Sequence, residues 1–205
     1  MDGGHFMFAR LCLALLFVLA INFQVCSQAV ARESGWDKHA VKAWHYYNLG
    51  VYDRCEKELL TALQSIGDSV DTRLATTLNN LAAVYAEKGQ YAHAEKLYAR
   101  AIEVYGVHLD ALDPFVVVAQ NNLAVLYYNQ RRYREAEVLY SQVIGSGETA
   151  FGFDSAAFAL SLNNLAAIQA GQKRYSGALS LLRRALSIHE KNGTTRSAAY
   201  ASVLN

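Results

Sequence analysis

Residues 74–102, 116–144 and 158–186 read "LATTLNNLAAVYAEKGQYAHAEKLYARAI", "VVVAQNNLAVLYYNQRRYREAEVLYSQVI" and "FALSLNNLAAIQAGQKRYSGALSLLRRAL". An Asn-Asn pair, then Leu81/Leu123/Leu165, Ala82/Ala124/Ala166 and Tyr91/Tyr133/Tyr175, return at a fixed spacing of 42 residues. Self-similarity at such a period constrains the fold more than any other feature of the chain. Each period is one supersecondary unit that cannot bury its apolar side alone, so successive units must stack on one another.

The apolar spacing inside a period predicts two helices. Leu74, Leu78, Leu81, Ala82 and Tyr85 fall on one helical face, and Tyr91, Ala94, Tyr98, Ala101 and Ile102 form a second stripe. Gly89 between them suits a left-handed helix stop. Alanines at 82, 94 and 101 allow close helix approach, with Tyr91 expected as a wedge in the core. A variant unit at 36–65 has Ala40, Ala43, Trp44 and Tyr47 in one stripe, a turn at Gly50, and Tyr52, Cys55, Leu59, Ala62 and Leu63 in the other. The segments "GVHLDALDP", "GSGETAFGFD" and "KNGTTR" are expected as loops, with Pro114 opening the next helix.

The predicted organisation is a solenoid over 36–205, in units of about 36–73, 74–115, 116–157 and 158–196 and a partial unit 197–205. The last nine residues, "SAAYASVLN", align with "SAAFALSLN" at 155–163, so a longer array is expected. A single proline and 53% hydrophobic residues agree with one folded all-α chain and not with disorder.

The first 31 residues differ in kind. Arg10 precedes the apolar run "LCLALLFVLAINF", and small residues follow up to Ala29 and Ala31. That pattern predicts a secretory signal peptide, cleaved after Ala29 or Ala31, and a periplasmic or extracellular mature protein. An uncleaved anchor stays open, although the run is shorter than the about 20 residues of a comfortable span. Cleavage would remove Cys12 and Cys26 and leave Cys55 alone, so no internal disulfide is expected. Cys55 occupies the small-residue packing site of Ala94, Ala136 and Ala178 and is read as a buried apolar thiol.

A net charge of +1 gives no signature of nucleic-acid or anionic-membrane binding. The six histidines lack metal-site spacing, and no Gly-x-Ser-x-Gly, Walker or dinucleotide motif appears. Glu95, Glu135 and Glu137 stand beside Lys96, Arg134 and Arg100 as solvated helix faces. No enzyme and no cofactor is expected.

The Leu-Ala pair, the turn residue before tyrosine and the downstream alanines (Gly89, Tyr91, Ala94, Ala101) resemble tetratricopeptide repeats, and the 42-residue spacing is similar to the kinesin-light-chain type. Arg131 and Lys173 depart from that pattern at the turn glycine, and Val143 at the second alanine. The resemblance implies an all-α right-handed superhelical solenoid of antiparallel helix pairs whose first helices line a groove. It also implies that Asn80, Asn122 and Asn164 grip the backbone of an extended peptide, a task for which an amide, donor and acceptor at once, is suited. Thr76, Ala83, Glu87, Val125, Asn129 and Ala167 would line the same groove, with Arg131 and Lys173 flanking it. Asn79, Asn121 and Asn163 are instead expected to tie neighbouring repeats together as a ladder, and a ladder remains the rival reading for the groove trio.

The function expected is a non-enzymatic protein-interaction module or scaffold whose partner is a protein or extended peptide. Two alternatives stay open at this point: the recognition arm of a larger, enzymatic protein, and a purely structural spacer.

Overall fold

The computed structural model describes residues 35–110, 113–150 and 156–191. Among them are eight helices and no strand: α1 (Gly35–Asn48), α2 (Tyr52–Ile66), α3 (Thr72–Glu87), α4 (Tyr91–His108), α5 (Pro114–Asn129), α6 (Tyr133–Ala150), α7 (Ala156–Gly171) and α8 (Tyr175–Lys191). The fold is thus the all-α helix-pair class that the period predicts. The leader and the partial unit at 197–205 lie outside the described residues, and no described helix is long and apolar enough to cross a membrane.

The four turns inside the pairs share one geometry. At each, one N–H reaches back five residues: Val51 to Tyr46, Gln90 to Tyr85, Arg132 to Tyr127 and Arg174 to Gln169, at 2.8–2.9 Å. The residue before it is left-handed: Gly50 (φ 68), Gly89 (φ 73), Arg131 (φ 62) and Lys173 (φ 62). This is the Schellman stop, which satisfies helix-end carbonyls and favours glycine because no Cβ crowds the carbonyl. Arg131 and Lys173 hold the same conformation against that preference.

Helix starts are also written in the sequence. Asp71 caps α3, accepting from the Arg73 N–H at 2.9 Å and the Leu74 N–H at 3.3 Å, while the Arg73 guanidinium fixes its other oxygen at 2.6 Å. Asp113 accepts from the Phe115 N–H at 2.9 Å, and Pro114 takes the first helical position, where its missing N–H leaves no bond unmade.

The described residues divide into two compact units, with the division between Leu126 and Tyr127. In the first, Trp36, Ala40, Ala62 and Ile66 form one cluster and Ala43, Cys55, Leu59, Leu81 and Val84 another. A third cluster of Ala75, Val104, Tyr105, Val116 and Ala119 joins α3, α4 and α5. In the second unit, Phe158, Ala159 and Leu162 of α7 pack on Ala185 and Ile188 of α8, with Ile144 of α6 at the edge. Cys55 is buried as expected, and burial, with the neighbouring Glu56 charge, pushes its thiol pKa up to about 12.

Three expectations need correction. Tyr91 is 39% exposed and Tyr175 65%, so neither is a core wedge. Each begins its helix and has no preceding turn to lean on; among the described residues the buried tyrosines are Tyr98, Tyr105 and Tyr140. Trp44, expected in the core, is 40% exposed. Gly106, Gly145 and Gly147 lie inside α4 and α6 and not in loops. In α4, the buried Val104 and Tyr105 offset the cost of a helical glycine.

Candidate functional site

In the first unit the repeated asparagines take unequal places. Asn122 is buried, and its Nδ2 donates to Asn79 Oδ1 at 3.1 Å; Asn79 is buried as well. Asn79 Nδ2 then donates to Asn80 Oδ1 at 3.4 Å. The rung between repeats therefore joins a residue of the expected groove trio to one of the expected ladder trio, so the division of labour read from the sequence does not hold for this pair. Two buried amides that satisfy one another avoid a desolvation penalty of about 1–3 kcal/mol.

Asn80 is the exception. The rung spans 43 residues, but Gly50 and Gly89 show that the first two repeats are three residues closer than the later ones. By the same register the acceptor for Asn80 is position 40, and Ala40 has no side-chain oxygen. Asn80 is half-buried, and its amide hydrogens have no acceptor among the described residues.

Around Asn80 a mixed surface is exposed. The 39-residue offset places Val41 level with Asn80, Trp44 with Ala83 and Asn48 with Glu87. Helices α1 and α3 are neighbours, since Trp36 Nε1 donates to Thr77 Oγ1 at 2.8 Å. Val41 (42%) and Trp44 (40%), three residues apart on one face of α1, stand open to solvent. At the end of this face the Tyr47 and Tyr52 hydroxyls reach the two oxygens of the exposed Glu87 at 3.4 Å each, and the two rings meet edge-on at 5.6 Å. Burial and the Glu87 charge both raise the Tyr47 pKa, so the phenol stays a donor.

Thr76 is not part of the open surface. It is buried, and its hydroxyl bonds the Thr72 carbonyl and Tyr105 Oη, both at 2.8 Å. Beside the face a polar clasp ties repeats one and two: Lys88 Nζ donates to Asp53 at 2.8 Å and Glu56 at 2.7 Å, and Tyr85 Oη donates to Glu56 at 2.8 Å. The Lys88 hydrogen bond, followed by that from Tyr85, holds the Glu56 carboxyl below the usual carboxylate range.

In the second unit Asn164 is buried in α7, and its amide acts on the buried Tyr140 hydroxyl of α6, although the two do not meet full hydrogen-bond geometry. Asn129 is half-buried at the end of α5, and Arg131 is exposed in the turn that follows. Of the seven sequence-predicted residues, Asn80, Asn129, Glu87 and Arg131 reach the surface, while Thr76, Asn122 and Asn164 do not. The sequence reading missed Val41 and the exposure of Trp44; the 39-residue alignment of Val41 with Asn80 was the available signal, whereas Ala83, level with Trp44, is buried and gives none. Among the described residues no three His, Cys, Asp or Glu side chains are grouped to hold a metal.

The tetratricopeptide repeat family profile matches residues 45–106, 73–149 and 115–191. No curated protein matches the sequence. Among solved structures, BtubC (BKLC) from P. vanneervenii is similar at 21% identity and TM-score 0.68, over 86% of this chain and 74% of that one. A Podosopora anserina protein described as a kinesin light chain with nearly identical TPR-like repeats is 18% identical with TM-score 0.67, over 84% and 95%. PilF from Pseudomonas aeruginosa is 18% identical with TM-score 0.62, over 84% and 69%. At these identities the likeness is one of fold.

Proposed function

The chain belongs to the tetratricopeptide-repeat family, and from that premise we propose that it is a non-enzymatic interaction module that holds an extended peptide segment against α1 and α3. The observation that carries this reading is the pairing of exposed Val41 and Trp44 with the unsatisfied amide donor of Asn80 on adjacent helices in matching register. An exposed tryptophan beside a half-buried donor is the composition of a binding hot spot: the indole supplies area and the amide fixes a backbone carbonyl. Glu87, with its tyrosine hydroxyls, closes one end of the face and favours a basic or N–H-donating residue there.

Magnitudes assign the shares. A micromolar complex needs about 8 kcal/mol, and one amide hydrogen bond supplies about 0.5–1.5 kcal/mol. Trp44 and Val41 must therefore provide the larger part. In this reading Asn122 serves the repeat stack and Asn80 serves the guest. Export with cleavage of the leader is part of the proposal and rests on the pattern at 1–31; sequencing the N-terminus of the protein recovered from its native host tests it, with a start at Val30 or Arg32 expected and an intact Met1 contradicting cleavage.

A random-peptide display selection on the full chain, with a Trp44→Ala/Asn80→Ala chain as counter-selector, tests the binding face. Peptides that bind at micromolar Kd and weaken at least about tenfold on the double variant, at equal melting temperature, support it. A pool that binds both proteins equally removes this face from the function.

A further inference from the structure

We propose that the second unit carries an oxyanion site for a phosphomonoester, in the cavity between the α5–α6 and α7–α8 turns. The site is separate from the α1–α3 face and does not depend on it. An open cavity of about 400 Å³ is lined by Arg131, Arg132, Tyr133, Arg134, Glu135 and Gln172. The lining carries three guanidinium groups against one carboxylate.

That carboxylate is already paired. Arg132 holds Glu135 through Nε at 2.8 Å and a terminal nitrogen at 2.5 Å, and its guanidinium lies 4.1 Å from the Tyr127 ring centre. In the neighbouring turn Arg174 is occupied by Glu137, at 2.6 Å to each oxygen, and by Gln172. Arg131, Arg134 and Lys173 have no such partner among the described residues, and all three are exposed. The turn region thus pairs two of its arginines internally and leaves two arginines and a lysine directed at no acid.

The backbone gives independent support. Arg131 and Lys173 occupy equivalent left-handed positions at φ 62, where the first two repeats place Gly50 and Gly89. A side chain there is strained whatever space surrounds it, and glycine would relieve the strain. Both strained positions carry a cation; Arg131 stands in the cavity wall, and Lys173 follows the wall residue Gln172 in sequence. Strain kept at paired surface positions points to a role outside the folding of the turn. Guanidinium forks gathered at one opening suit a tetrahedral anion with several oxygens better than a single carboxylate.

The test is thermal unfolding of the full chain in inorganic phosphate, at ionic strength held constant with sodium chloride, beside an acetate series. A saturable rise of about 3–6 °C is expected at a tenfold excess of phosphate over its Kd. The Arg131→Gly/Arg134→Gln variant should lose that rise without melting lower than the parent in buffer, because glycine suits the turn. Arg134→Gln alone should weaken the response and serves as the fold-neutral check. Co-sedimentation with phosphatidylcholine vesicles, with and without phosphatidic acid, separates the sources. Binding to the phosphatidic acid vesicles assigns a headgroup, and a phosphate response without vesicle binding assigns a soluble phosphomonoester. An equal response to acetate, or an undiminished phosphate response in the double variant, overturns the proposal.

Discussion

Asn122 and Asn79 show how much a single amide depends on its neighbour. Truncating either leaves a buried partner unsatisfied, so Asn122→Ala and Asn79→Ala should each destabilise by about 1–3 kcal/mol. The double variant should cost less than the sum, because both orphaned groups then disappear together. Urea unfolding of the three proteins reads the coupling, and strict additivity would show that the 3.1 Å contact carries no energy. The repeat pattern in the sequence marks these positions as important, but not which of each pair faces what. That choice depends on a one-position slip between adjacent repeats, a property of helix stacking that no repeat unit contains. Trp44 illustrates a related limit. Helical spacing places it beside Ala40 and Ala43, and its equivalent in the second repeat, Ala83, is itself buried, so neither pattern discloses the exposure of Trp44.

At the scale of the elements, the turns were the most legible part of the fold, since Gly50 and Gly89 mark them and Arg131 and Lys173 follow at the same spacing. What residue identity did not disclose is that all four keep one backbone geometry. Two substitutions should therefore act in opposite directions. Gly89→Ala places a Cβ in the left-handed region and should destabilise by about 1 kcal/mol. Lys173→Gly removes one and should stabilise by about 0.5–1 kcal/mol after the extra chain entropy of glycine. Denaturant midpoints check both, and a destabilised Lys173→Gly would show that the lysine side chain supports the turn. The clasp between Lys88 and Glu56 adds a pH dependence. The folded Glu56 carboxyl lies below its usual range, so its contribution is present above its unfolded pKa near about 4.3 and is lost as pH falls through the folded value. Glu56→Gln should thus lower stability at pH 7, and its deficit against the parent should shrink in melts below about pH 4. A deficit that is constant across that range would assign the clasp no electrostatic share.

For the molecule as a whole, the 42-residue period was enough to give the class, because a unit of two short amphipathic helices has no stable alternative to stacking. The function is less legible for a physical reason. Solenoids bind with the groups their repeats leave unpaired, and those groups stand out only after the internal pairs are counted. Here that count leaves the Asn80 amide, beside the exposed Val41 and Trp44, in the first unit and the cations of two turns in the second.

The most direct test of this account is the affinity of a display-selected peptide for the parent, Asn80→Ala and Asn122→Ala proteins, each with its melting temperature. Asn80→Ala should lose about 2- to 12-fold in affinity, the value of one amide hydrogen bond, at an unchanged melt. Asn122→Ala should melt lower and, while folded, keep the parent affinity. The reverse pattern, with affinity lost at Asn122 and only stability lost at Asn80, would contradict the account.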